Sequence, residues 1–172
     1  IDSMSLYVFL LLFPALMTFA GCMDLVTMTI PNKVSIALVV VFLIAAAIVK
    51  MPIETFAMHV AVGFGMLVIC MGLFATNILG GGDAKLLPAA ALWVGFDHLF
   101  GYMFWVALLG GALSILLLFY RANLPPTWLL GRAWAMRLHS KKTGIPYGIA
   151  IGGAGLLVFP ATSWFGAVAA QI

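Results

Sequence analysis

Two aspartates stand out because each adjoins a long apolar segment. Asp24 directly follows the first apolar run, and Asp83 follows a run of glycines ahead of another. Two carboxylates that lie close together cannot both ionise easily, so they share one proton. The ionised one can act as a general base on water, while the protonated one polarises a carbonyl and later protonates the leaving amine. This is the chemistry of an aspartyl peptidase.

The neighbours of the two aspartates suggest a division of roles. Asp83 would begin a helix close to Lys85, and both a helix N-terminus and a nearby cation favour an anion. Asp24 would end a helix, where the partial negative charge disfavours an anion. The sequence therefore predicts Asp83 as the general base and Asp24 as the proton carrier. The glycines before Asp83 would leave room for an extended substrate backbone; they are Gly80, Gly81 and Gly82.

The composition indicates what must position these residues. Of the 172 residues, 65% are hydrophobic and only 8% are charged, whereas soluble domains carry roughly 25% charged residues. We predict an all-α protein, a polytopic transmembrane helical bundle that forms one domain over residues 1–172. Ile1, Asp2 and Ser3 precede Met4, and we interpret them as residues added ahead of a native start. The net charge of +3 is modest, and no basic, aromatic-rich run predicts a nucleic-acid partner.

The apolar runs predict six membrane spans, and a longer basic segment, Arg121 to Gly144, is predicted to join the last two. Asp97 and His98 are predicted to separate the fourth span, which is short, from the fifth. The predicted spans are Leu6–Met23, Val34–Val49, Phe56–Leu79, Leu86–Phe96, Leu99–Tyr120 and Ile145–Val168.

The distribution of basic residues predicts the orientation of these spans. Lys50 is the only basic residue in the second and fourth loops. The first, third and fifth loops contain Lys33, Lys85, Arg121, Arg132, Arg137, Lys141 and Lys142. Because basic loops stay in the cytoplasm, the odd loops should lie there, with both chain ends outside. Asp24 and Asp83 would then lie at the same, cytoplasmic, membrane edge.

Other kinds of site find little support in the sequence. No HExxH motif occurs, and Cys22 and Cys70 are far apart, so neither a metal nor another cofactor is predicted. Ser114 lacks a GxSxG context for a serine mechanism. Two non-peptidase classes stay open: a small proton- or cation-coupled transporter or channel, and a non-catalytic assembly factor for a pilus or secretion system. Carboxylates at membrane depth serve transport as well as catalysis.

Three motifs resemble the type IV prepilin peptidase family, the GxGD aspartyl peptidases of bacterial inner membranes. The first is Asp24 followed by Ile30-Pro31-Asn32-Lys33, the second is the segment 80–87 that contains Asp83, and the third is Gly144-Ile145-Pro146-Tyr147-Gly148. The resemblance implies that Asp24 and Asp83 are the catalytic residues. It also implies that the residues beside them support the site or bind substrate: Gly80, Gly81, Gly82, Lys85, Pro31 and Asn32.

The resemblance further implies a reaction and a location. The expected substrates are prepilins or pseudopilins, whose short basic leader would be cleaved after a glycine at the cytoplasmic face of the inner membrane. The expected partners are these substrates and the lipid bilayer. Larger members add a cysteine-rich segment and an N-methyltransferase activity, neither of which is expected here. The compact chain is similar to the Tad/Cpa branch, which points to Flp/Tad-type prepilins, while the archaeal preflagellin peptidases share the chemistry.

Overall fold

The computed structural model describes residues 3–164 and 166, with side chains from residue 11 onward. Within this part of the chain every regular element is helical, which confirms the predicted all-α class. Six α-helices follow in order: α1 (Ser3–Thr27), α2 (Asn32–Ile48), α3 (Ile53–Ala75), α4 (Asp83–Ala122), α5 (Ala133–His139) and α6 (Tyr147–Val158). Two short 3₁₀ helices cover Thr127–Leu129 and Phe159–Ala161.

The helix boundaries follow from local backbone chemistry. Pro31, at φ −60° and ψ 136°, precedes the first residue of α2, where its extended conformation cannot continue a helix. Met28, Lys50 and Asn77 have positive φ, and each lies just after a helix end, where a left-handed residue commonly terminates the helix. Asn77 thus stops α3 at Ala75, several residues before the predicted end of the third span.

The surfaces of the helices are strongly apolar. Along α3, Met58, Phe64, Val68 and Ile69 are 50%, 66%, 57% and 57% exposed, respectively. Among the described residues, α3 and α4 are long and apolar enough to cross a membrane, and shorter apolar helices cover Leu11–Thr27, Asn32–Ile48 and Tyr147–Ala161. Large exposed apolar surfaces of this kind indicate a lipid environment.

The 40-residue helix α4 changes direction at Gly95, whose φ of 73° and ψ of 178° are not helical. A straight helix of this length would extend about 60 Å. Instead, Arg121 near its end donates to the carbonyl of Gly144, and Gly144 lines the same cavity as Asp83, the first residue of α4. The two halves of α4 therefore run in opposite directions, as predicted for the fourth and fifth spans. The predicted turn is wrong, because Asp97 and His98 lie within the second half of the helix.

Buried polar side chains satisfy the carbonyls that the break at Gly95 leaves without helical partners. The Nδ1 atom of His59 lies 2.7 Å from the carbonyl oxygen of Leu92. The indole Nε1 of Trp164 donates to the carbonyl of Trp93 at 2.8 Å. Trp93 and Trp164 are 0% and 1% exposed, with ring centroids 4.9 Å apart. An aromatic core thus fixes the reversal at the end of the bundle opposite Asp83.

The last part of the chain differs in detail from the predictions. Helix α6 covers Tyr147–Val158, whereas the predicted last span ran from Ile145 to Val168. Residues 165 and 167–168 of that span, like Ile1 and Asp2, lie outside the described residues. The basic segment after α4 contains the short helix α5, followed by a connection to α6.

Replacing Gly95 with alanine is expected to destabilise the protein by about 2–3 kcal/mol, because a side chain is strained at positive φ and overpacks the core. A Cβ atom at this position would lie 2.7 Å from Cε1 of His59. Thermal unfolding in detergent would measure the loss. Gly101→Ala is the matched control, since nothing lies within 4 Å of a Cβ there. Equal melting temperatures for the two variants would contradict the prediction.

Candidate active site

A cavity of about 760 Å³ lies at the end of the bundle where α1 ends and α4 begins. It brings Asp24 and Asp83 together, as the sequence predicts, although 59 positions separate them in the chain (83 − 24). Its remaining lining residues are Met28, Thr29, Ile30, Asn32, Gly80, Gly81, Gly82, Lys85, Arg137, Lys142, Thr143, Gly144 and Ile145. The cavity therefore combines two carboxylates, a glycine-lined edge and several cations.

Asp24 lies in the last turn of α1 and is 6% exposed. Its Oδ2 atom accepts a hydrogen bond of 2.7 Å from the backbone N–H of Gly148. Gly148 is the second residue of α6, so the positive end of that helix also faces the carboxylate. In the sequence, the motif that contains Gly148 indicates the start of the last span and gives no sign of a contact with Asp24. This contact is the main feature of the site that the sequence analysis missed.

Close packing of α1 against α6 makes the contact with Asp24 possible. A Cβ atom on Gly148 would lie 2.8 Å from both Cβ and Oδ2 of Asp24, and one on Gly152 would lie 2.8 Å from the carbonyl oxygen of Met17. Gly148 and Gly152 are four residues apart on one face of α6, a spacing that lets membrane helices approach closely. This pair of glycines is the feature of the sequence that could have predicted the close contact between α1 and α6.

Asp83 is the first residue of α4 and is partly buried. A Cβ atom on Gly80 would lie 3.0 Å from Oδ2 of Asp83, and one on Gly82 would lie 3.2 Å from Cβ of Ile30. Gly80 therefore leaves the carboxylate clear of a neighbouring side chain, and Gly82 lets Ile30 approach the backbone closely. No residue described by the structure donates a hydrogen bond to this carboxylate, so it can reach a ligand in the cavity.

Lys85 and Asn32 link α4 to α2 at the edge of the cavity. The Nζ atom of Lys85 donates to Oδ1 of Asn32 at 2.8 Å. The cation that the sequence places near Asp83 thus forms its hydrogen bond with Asn32. Pro31 does not line the cavity; it directly precedes α2, and its carbonyl accepts a hydrogen bond of 3.0 Å from the backbone N–H of Val34. Its contribution is to position Asn32.

Arginine side chains hold the segment between α4 and α6 over the cavity. The guanidinium group of Arg121 donates to the carbonyls of Leu138, Thr143 and Gly144 at 2.7, 2.9 and 2.9 Å. Arg137, which lines the cavity, donates to the carbonyl of Val26 near the end of α1 at 2.8 Å. Both arginines therefore cross-link this segment to the helices that present the aspartates.

Replacing Arg121 with methionine is expected to loosen the segment from residue 123 to residue 146. The variant loses the hydrogen bonds that this side chain donates to backbone carbonyls, each worth about 1.5–3 kcal/mol because the donor is charged. Limited trypsin digestion would measure the effect as faster cleavage after Arg132 and Arg137. Lys33→Met, which removes an exposed cation at the start of α2, serves as the control. Unchanged digestion of the Arg121 variant would contradict the prediction.

The chemical groups at the site suit hydrolysis by carboxylates. The described residues contain no cluster of three or more histidine, cysteine or acidic side chains that could hold a metal ion. Asp24 has one oxygen held by a backbone donor, and Asp83 faces the same cavity without such a donor. Such unequal surroundings give two carboxylates different tendencies to ionise.

Comparison with known proteins identifies the family. The type IV leader peptidase family matches residues 11–115, which include both aspartates. Neither a curated protein nor a solved structure matches the chain significantly. The family match covers more than half of the 172 residues, and it agrees with the motifs noted in the sequence. The apolar helices and the family together indicate a membrane-embedded peptidase. The chain belongs to the type IV leader peptidase family.

Proposed function

We propose that this protein is an aspartyl endopeptidase that cleaves the leader peptides of type IV prepilins or pseudopilins, with Asp24 and Asp83 as its catalytic residues. The observation that carries the proposal is the single cavity that contains both carboxylates beside three glycines. A peptide must be extended to be cleaved, because helical amides are already bonded internally. Gly80, Gly81 and Gly82 leave the necessary room along one edge of this cavity.

The contacts at the site favour a division of roles opposite to that predicted from sequence. The N–H of Gly148 and the positive end of α6 stabilise an ionised Asp24. Lys85 binds Asn32 instead of supporting an anion on Asp83. We therefore assign the general base to Asp24 and the shared proton to Asp83, which polarises the scissile carbonyl and then protonates the leaving amine.

The proposal places the reaction at the cytoplasmic face of the inner membrane. Lys85, Arg137 and Lys142 line the cavity, and Arg121 holds the segment beside it. Basic residues concentrate on the cytoplasmic side of membrane proteins. With the two halves of α4 counted separately, α1, α2, α3 and α6 complete a six-span arrangement in which both chain ends lie outside.

The substrate is proposed to be a Flp/Tad-type prepilin with a short basic leader, cleaved after a glycine. This assignment rests on the motifs that the chain shares with the prepilin peptidases. The absence of a cysteine-rich segment in the sequence supports peptidase activity without N-methyltransferase activity.

Incubation of the purified protein with a leader-bearing prepilin in lipid vesicles would test the proposal. The expected result is a shortened product whose new N-terminus, identified by mass spectrometry, follows a glycine and carries no methyl group, with or without S-adenosylmethionine. Failure to cleave Flp-type prepilins together with proton flux in sealed vesicles would instead support a transporter. Absence of both activities would favour a non-catalytic assembly role.

A further inference from the structure

A second, apolar groove of about 640 Å³ adjoins the aspartate cavity. Asn32 and Lys85 line both spaces, so the groove opens directly beside the glycines. Away from that mouth the lining is almost entirely aliphatic and aromatic, and it includes Val39, Leu43, Phe64 and Leu67. From Asn32 to Leu43 the groove follows α2 for about 16 Å, which is three helical turns.

The groove exists because α3 packs mainly on α4 and α2 packs equally on α1 and α4, while α2 and α3 hardly contact each other. The first half of α4 forms its floor, where Gly63 of α3 lies against Leu92. At the end away from the aspartates, Phe42 of α2 meets Phe56 and His59 of α3, with ring centroids 6.0 and 5.7 Å apart. The groove is therefore closed at that end and open at the aspartate end.

An unpartnered hydroxyl group lies near the mouth of the groove. Ser35 is 9% exposed and lines the groove, yet its Oγ atom has no hydrogen-bond partner among the described residues. A serine in a helix commonly donates to the carbonyl four residues earlier, and here it does not. A buried hydroxyl without a partner destabilises the protein. A polar group of a bound ligand would remove that cost.

We propose that this groove seats an apolar membrane helix of the substrate, the segment that follows the cleavage site. The inference rests on the proposed leader peptidase function. A substrate that is cut at the membrane edge and continues into the bilayer must pass from the aspartate cavity to a lipid-facing surface. The groove is the apolar surface that continues from this cavity, and Ser35 stands where the substrate backbone would change from extended to helical. There its hydroxyl group hydrogen-bonds the first exposed backbone N–H or carbonyl of the substrate helix.

Filling the groove should therefore impair substrates that contain the apolar helix and spare those that lack it. In Val39→Trp and Leu43→Trp, kcat/KM for a full-length prepilin is expected to fall about tenfold or more, mainly through a higher KM. Cleavage of a truncated peptide that ends before the apolar helix should change less than about twofold. Ser35→Ala should lower kcat/KM for the full-length substrate alone by about threefold to tenfold.

Matched controls separate groove filling from a general effect of tryptophan. Val68 and Leu118 are 57% and 65% exposed on lipid-facing surfaces outside the groove. Val68→Trp and Leu118→Trp should leave the cleavage of both substrates unchanged. An equal loss for both substrates in the groove variants would overturn the proposal, since it would indicate a structural or lipid-binding role. Full activity of the groove variants would also overturn it.

Disulfide trapping provides a second measurement that does not depend on turnover. In a Cys22→Ser, Asp83→Asn background, a cysteine at Val39 should cross-link to one in the apolar helix of the substrate, and a cysteine at Val68 should not. Cross-linking at both positions or only at Val68 would overturn the docking site. If the wild-type protein cleaves no prepilin, the proposed function itself fails. Cleavage by the wild type without cross-linking at Val39 would remove only the groove proposal.

Discussion

Replacement of Asp24 or Asp83 by asparagine is expected to lower kcat for leader cleavage by about 10³-fold or more in either variant. General acid–base steps contribute roughly 10²–10⁴-fold each, and the shared proton makes both steps depend on both side chains. Asparagine keeps the size of each side chain but can neither ionise nor carry the proton. The double variant should be as active as the less active of the two single variants, because the carboxylates act as a unit.

Asp97→Asn is the matched control for these substitutions. Asp97 lines a separate cavity of about 240 Å³ next to His59 and Gly95, at the other end of the bundle. Its replacement should leave cleavage within about twofold of the wild type. Single-turnover measurements with a fluorescent prepilin would compare the variants, after gel filtration has established that each one folds. Cleavage at a wild-type rate in either Asp24→Asn or Asp83→Asn would refute the proposed mechanism.

Gly148→Ala is expected to reduce kcat by about 10²-fold, although it adds only one methyl group at a residue that is far from Asp83 in the chain. The new Cβ atom would lie 2.8 Å from Cβ and Oδ2 of Asp24 and from Cδ1 of Ile30. Either α6 moves away from α1 or Asp24 turns aside, and each outcome breaks the 2.7 Å hydrogen bond from the backbone N–H. A misplacement of about 1 Å in an active site can cost about 10²-fold in rate.

The stability of the Gly148→Ala variant should fall by about 1–3 kcal/mol through overpacking. Gly65→Ala makes the same chemical change on α3, where a Cβ atom meets nothing within 4 Å, and should be active and stable. A serine at position 148 should be at least as damaging as alanine. Wild-type activity of Gly148→Ala would show that the contact with Asp24 plays no part in the reaction.

The sequence predicted that Asp24 and Asp83 lie at one end of the bundle, because the alternation of spans and the basic loops constrain where helix ends can lie. The contact between Asp24 and Gly148 could not be predicted in the same way. It joins residues 124 positions apart, and it depends on the distance between two helices, which hydropathy does not encode. Only the spacing of Gly148 and Gly152 on one face of α6 hinted at close packing.

The turn within α4 shows a different limit of prediction. The sequence predicts a turn at Asp97 and His98, because polar residues usually mark the ends of membrane spans. The chain reverses at Gly95 instead, because a glycine can adopt the required positive φ without strain. Lys85 shows a similar limit, because its position close to Asp83 in the sequence does not reveal that its side chain hydrogen-bonds Asn32 on another helix.

The hydrogen bond between Gly148 and Asp24 also has a consequence for how the protein is made. Asp24 leaves the ribosome before its hydrogen-bond donor, which follows 124 residues later. At about 5–20 residues per second, this interval is roughly 6–25 s. A nascent or prematurely terminated chain can thus contain both aspartates and all of residues 11–115, which match the family. Asp24 nevertheless still lacks the hydrogen bond from Gly148 in such a chain. Proteolytic competence would then arise only with the insertion of α6, after both aspartates have been synthesised.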